Sequence, residues 1–234
     1  MRRGTRRRPK MRRPRAEIAL VLALLLGIFA GSARAQEVGD GIAAIVGGTV
    51  PGPGTIVILR SDVALRARML LLGRGGEATL DQPIPPSLLA VVLRNLVDEA
   101  LIAFEARRID LPPPTPAALQ VERARLHASV GGEARMRLLL ERVGASRAEL
   151  DAIVDRRARV AAFLELHLGG ENLVAEHEVK RRFAEGDHPF VGMSYEDAAA
   201  PLRVMMTDER LGQSVAEWVG ILRERTPVAI RAEY

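Results

Sequence analysis

No cysteine occurs among the 234 residues. A disulfide framework, a cysteine zinc site, a thiol nucleophile and a lipid-modified cysteine are thereby excluded. Aromatics are scarce, at one Trp, two Tyr and five Phe, which argues against a nucleic-acid surface that stacks bases on rings set among basic residues. Histidine is limited to His127, His167, His177 and His188. None stands at a metal-ligand spacing such as HExxH, which sets two imidazoles on one helical face. Gly73-Arg74-Gly75-Gly76 lacks the Lys-Ser/Thr of a phosphate loop, and Gly144-Ala145-Ser146 lacks the second glycine of a nucleophile elbow. Glu176-His177-Glu178 is the densest acid and imidazole cluster, but adjacent helical residues diverge, so it reads as a helix start. No catalytic residue, cofactor or metal is expected, and the chain does not read as an enzyme.

Charge is abundant but unevenly placed. The net charge of +5 conceals ten basic residues and one acid within positions 1–35, leaving 24 basic against 28 acidic in the rest. The basic character therefore belongs to the amino terminus and carries no message about nucleic acid for the remainder. Met1–Arg15 is polybasic, Ile18–Gly31 is a 14-residue apolar run, and Ala33-Arg34-Ala35 presents small residues where a signal peptidase reads. This pattern predicts a secretory signal peptide over 1–35, since the run falls short of the roughly 20 residues that span a bilayer. Cleavage after Ala35 would leave residues 36–234 in an extracytoplasmic, periplasmic space, with no stable membrane insertion. Without disulfides the mature chain must be stabilised by an ordinary core.

That mature chain reads as mostly helical after an opening hairpin. Ile42–Val46 and Thr55–Leu59 are strands around the turn-rich Pro51-Gly52-Pro53-Gly54. Ser61, as an N-cap, opens a helix to about Leu72, stopped at Gly73. Ser87 opens a strongly apolar helix ending near Arg108, with Leu89, Leu93, Leu96, Val97, Ala100 and Phe104 at steps of three and four. Thr115-Pro116 starts the next helix, to about Ser129, followed by Glu133–Val143. Ser146 with Glu149 forms a capping box for a helix to Leu168. Arg157 falls on the inner seam of this helix, where an acid such as Asp98 or Glu99 is the expected partner. A short helix over about Ala175–Ala184 precedes a loop, in which His188-Pro189-Phe190 reads as a surface turn. Ser194 with Asp197 starts a last helix to about Arg225, with Pro201 in its first two turns, and Val228–Tyr234 ends the chain as an edge strand.

This order of elements resembles the amino-terminal domain of SurA-like periplasmic chaperones and peptidyl-prolyl isomerases. Ile42-Ala43-Ala44-Ile45-Val46 and Ile56–Leu59 running into Arg60-Ser61-Asp62-Val63 look like the family's opening hairpin and first helix. Leu96-Val97-Asp98-Glu99-Ala100-Leu101-Ile102 is similar to its central helix, and Ser146–Leu168 to the long helix after it. Val174–Phe183 resembles the exit helix, and Ser194–Arg225 the carboxy-terminal helix that packs back. In the family, parvulin-type isomerase domains sit between those last two helices. Here only Glu185–Met193 fills the gap, too short for a domain with its own core.

The resemblance implies a mostly α fold: a SurA-like peptide-binding helical domain over 36–193, with a small N-terminal β-hairpin, and a C-terminal helix and short strand over 194–234 packing back on it. It implies an ATP-independent holdase for unfolded outer-membrane or secreted polypeptides, without isomerase catalysis. The alternative is an extracytoplasmic scaffold subunit binding one folded partner. Flexible methionines and exposed leucines suit a surface that takes many sequences, and Met69, Leu71, Leu72, Met136, Met205 and Met206 are the client-binding candidates. The last helix, attached through a short loop, is compatible with a monomer or a swapped dimer.

Overall fold

The computed structural model describes residues 40–168 and 174–234; the signal peptide and cleavage point expected within 1–35 lie outside them. Strand β1 (Ile42–Val46) is central in a three-stranded antiparallel sheet of order β2-β1-β3, between β2 (Ile56–Leu59) and β3 (Val228–Ile230). Ile45 pairs with Val57 on one side and with Ala229 on the other. Flanked on both edges, Ala43 to Val46 are all buried, which is why this strand reads as an unbroken apolar run rather than an alternating one. An irregularity between Ile42 and Ala44 leaves Ala43 as an extra residue, and its carbonyl accepts from the amides of Arg231 (2.8 Å) and Ala232 (3.1 Å). The bulge thus fastens the chain's last residues to its first strand.

Helix α1 (Arg60–Gly75) follows β2 without a loop. Its N-cap is Leu59, whose amide donates to the Asp62 carboxylate at 2.9 Å. The helix therefore starts one residue before the expected cap, and Ser61 instead hydrogen-bonds through its hydroxyl and amide to Asp40. It also runs past Gly73. A Cβ at that glycine would stand 2.2 Å from the Ser129 carbonyl oxygen, so Gly73 serves the close approach of a neighbouring helix and does not stop its own.

A short 3-10 turn (Glu77–Thr79) leads to α2 (Pro86–Arg108), entered through Pro86 at the first helical position, one residue before Ser87. Then come α3 (Pro116–Ser129), α4 (Glu133–Val143), α5 (Arg147–Leu168), α6 (Glu176–Glu185) and α7 (Tyr195–Arg225). The expected caps are in place: Thr115 accepts from the Ala118 amide, Ser146 and Glu149 exchange bonds, and Ser194 accepts from the Asp197 amide. Helix α7 passes through Pro201 unbroken. The domain is thus mostly α, with the small hairpin and the short closing strand.

Among the described residues three apolar clusters hold it together. The first surrounds α2, which packs on the sheet, α1, α5 and α7, with Val97, Leu101, Phe163 and Leu222 at its centre. Gly47, at φ +87°, sits where a Cβ would come within 2.2 Å of the Phe104 ring, so the end of β1 lies flush on α2. The second cluster joins α1, α3, α4 and the first half of α5. Met69, Leu72 and Met136 belong to it and are at most 3% exposed. Their side chains fill the core between four helices, so the client surface expected from the sequence finds almost no exposed side chain at these three positions. The third cluster is a satellite in which α6 packs on the first half of α7 through Val179 and Leu202. The 31 residues of α7 extend about 46 Å, so one half docks on the main core and the other carries the satellite.

Candidate polypeptide-binding groove

Helix α5 turns one stripe outward between α2 and α7. Arg156, Arg157, Val160, Ala161 and Leu164 share this face by their spacing, and all five are half-buried. Val160 and Leu164 floor a groove of about 560 Å³. One wall is α2, through Arg94, Asp98, Glu99 and Ile102, and the other is α7, through Val215, Val219 and a run of small residues. Gly212, Ala216 and Gly220 recur every four residues and so lie in line along α7. A Cβ at Gly212 or Gly220 would meet nothing within 4 Å. The wall recedes because α7 carries almost no side-chain bulk there.

A second hollow of about 310 Å³ shares Glu99, Val160 and Leu164 with the first and extends to Glu122, Arg125 and Arg157 on α3 and α5. Together they make one channel, apolar in the floor and charged at the rim. Asp98 pairs with Arg223 of α7, whose Nε stands 3.1 Å away, and Glu99 pairs with Arg66 of α1. Both acids proposed for Arg157 are thus already taken. Arg157 instead approaches Glu122 at 3.4 Å, a carboxylate 6% exposed that Arg125 also holds at 2.6 Å. Burial above all holds the Arg66 guanidinium below its ordinary pKa. Glu99 opposes that shift, while the positive charges of Arg157 and Arg156 add to it. Arg66 Nη1, Glu99 Oε1 and Arg159 Nε are buried without a hydrogen-bond partner among the described residues.

No protein-family model and no curated protein matches this chain. The geometry itself is therefore what bears on function. Such a channel can take an extended polypeptide segment: apolar side chains lose water against Val160, Ala161, Leu164 and Val215, and polar groups meet a charged rim.

None of the six residues expected from sequence lines this groove. Met136 floors a separate hollow of about 520 Å³ between α3, α4 and α5, where Arg123, Arg137 and Arg147 face Glu133, Glu141 and Asp151. Leu71 is half-buried on α1, and Met205 and Met206 are half-buried against the α6–α7 satellite. The satellite also orders the loop. His188 stacks on Phe183 (ring centroids 4.9 Å apart) and its Nδ1 accepts from the Phe190 amide at 3.1 Å, leaving Val191 82% exposed at the tip. Glu176 and Glu178 act at the start of α6: Glu178 accepts from the Ala175 amide and pairs with Arg210, and Glu176 binds Tyr195 and Arg203. The groove's own sequence signal was the four-residue recurrence of Gly212, Ala216 and Gly220 on a helix otherwise apolar along one side.

Proposed function

We propose that the protein is an ATP-independent holdase that shields segments of unfolded outer-membrane or secreted polypeptides in the α2–α5–α7 groove, without catalysing prolyl isomerisation. The groove carries this reading: it is open, apolar at the bottom, and built on a scaffold whose last helix is fastened in both halves. The hairpin, the central helix and a closing helix followed by a strand also support a SurA-like module from which the isomerase domain is missing, since α6 and α7 are joined only by residues 186–194. Secretion into the periplasm through residues 1–35 belongs to the same reading.

The test uses the purified protein at equimolar and lower ratios to a denatured outer-membrane porin and to one unrelated denatured protein, without ATP. Suppressed aggregation of both, with no acceleration of a proline-limited refolding reaction, is the expected result; suppression of neither defeats the proposal. A second reading, a scaffold subunit for one folded partner, draws on the exposed Val191 and Met193 at the tip of the ordered α6–α7 loop. It predicts one stoichiometric partner and no effect on denatured proteins. Monomer and swapped dimer differ in whether α7 docks on its own α2 and α5 or on those of a second copy, and the mass in solution separates them.

A further inference from the structure

The groove is not the same at its two ends. Towards the start of α5 its floor changes from Leu164 and Val160 to Arg157, with Arg156 beside it on the same stripe. Three guanidinium groups partly shielded from water gather there, from Arg66, Arg156 and Arg157, with the exposed Arg125 at the rim, against two carboxylates, Glu99 and Glu122. Neighbouring Arg159 is met by Asp155 at 3.6 Å and leaves this imbalance unchanged. Arg156 is half-buried and has no ion-pair partner among the described residues. On the α7 side Asp98 and Arg223 neutralise each other, and Arg94 is an exposed cation in water, where a single ion pair counts for little. Excess positive charge in a half-buried place therefore lies where α5 faces α1 and α3.

We infer that the groove selects extended segments in which an acidic side chain stands about three residues from an apolar stretch, the carboxylate lying among Arg66, Arg156 and Arg157 and the apolar side chains on Val160 and Leu164. The spacing follows from the floor. Arg157 and Leu164 are seven positions apart, about 10 Å along a helix, and an extended chain covers that length in three residues. The cluster would gain the acceptor it lacks, because an added carboxylate offsets the mutual repulsion of the arginines and forms charge-assisted hydrogen bonds with them. This selectivity rests on the groove being the client site.

The test is fluorescence anisotropy of the purified protein with three end-blocked peptides. They share one leucine- and alanine-rich sequence and carry glutamate, glutamine or lysine three residues from a leucine pair. Blocking both ends leaves the side chain as the sole source of a carboxylate. The glutamate peptide is expected to bind at least about fivefold more tightly than the glutamine peptide, with the lysine peptide weakest, and the preference should shrink at about 0.5 M salt. Arg156→Gln should bring the glutamate peptide towards the affinity of the glutamine peptide. Arg137→Gln, in the separate hollow beside α4, should preserve the preference. Equal binding of glutamate and glutamine peptides overturns the inference while leaving the groove as a client site. A preference unchanged in Arg156→Gln also overturns it, and binding of none of the three removes the groove reading and the inference together.

Discussion

Gly212 and Gly220 sit inside α7, exposed, with open space where a Cβ would stand. Alanine at an exposed helical interior position is more stable than glycine by about 0.8–1 kcal/mol, because glycine loses more backbone freedom on folding. The pair Gly212→Ala and Gly220→Ala should therefore stabilise the fold by about 2 kcal/mol, raising the melting temperature by about 4–8 °C for a domain of this size. Leucine is nearly as good a helix former, so Gly212→Leu with Gly220→Leu should retain most of that gain. Its side chains, however, project into the groove and fill it. Thermal or urea unfolding together with aggregation suppression should thus show the leucine pair as more stable and less active, the trade-off expected where a surface is kept open for binding. Destabilisation by the alanine pair would mean that this wall is already covered. A stable leucine pair with undiminished suppression would place the client elsewhere.

Three further outcomes follow from close approaches and charges. Gly47→Ala combines a left-handed backbone with an overlap against Phe104 and should cost about 2–4 kcal/mol in urea unfolding; a neutral effect would contradict the packing of the hairpin on α2. Gly73→Ala should cost about 1–3 kcal/mol by pushing α1 from the end of α3, in contrast to the gains at Gly212 and Gly220. The carboxyl groups of Glu105 and Glu149 are held below their ordinary values, chiefly by the Arg108 side chain in one and the Ser146 amide in the other. A depressed folded-state pKa means that the unfolded chain binds protons first, so their contribution is complete above the ordinary carboxylate value of about 4.3 and is lost as pH falls through the lowered values. Urea midpoints measured through that range should fall less steeply in Glu149→Gln than in the native protein, and an unchanged slope would refute the assignment.

The elements legible in the sequence were those whose causes are local. A hydroxyl three residues before a carboxylate, as at Ser146 and Ser194, marks a helix start wherever it occurs, and the hairpin declares itself by two apolar runs about a proline- and glycine-rich turn. What depends on distant partners was not legible. Gly73 reads as a stop until Ser129 is seen lying against it, and Met69 and Met136 read as surface until four helices close over them. Arg223 reaches Asp98 from 125 positions away, so the pairing that displaces Arg157 from that acid has no trace in local sequence. The groove is of the same kind: its floor, its two walls and its arginine end come from α5, α2, α7, α3 and α1, and only the small residues of α7 leave a mark on a single segment.

The central claim is that unfolded polypeptide lies in this groove. A photo-crosslinking residue at position 216, between Gly212 and Gly220, tests it directly, with a second at Val50, exposed in the hairpin loop, as the control. With a denatured outer-membrane porin, position 216 should give a crosslinked product that excess of a second unfolded protein competes away, and position 50 should give none. Absence of product at position 216, or equal product at both positions, would contradict the account.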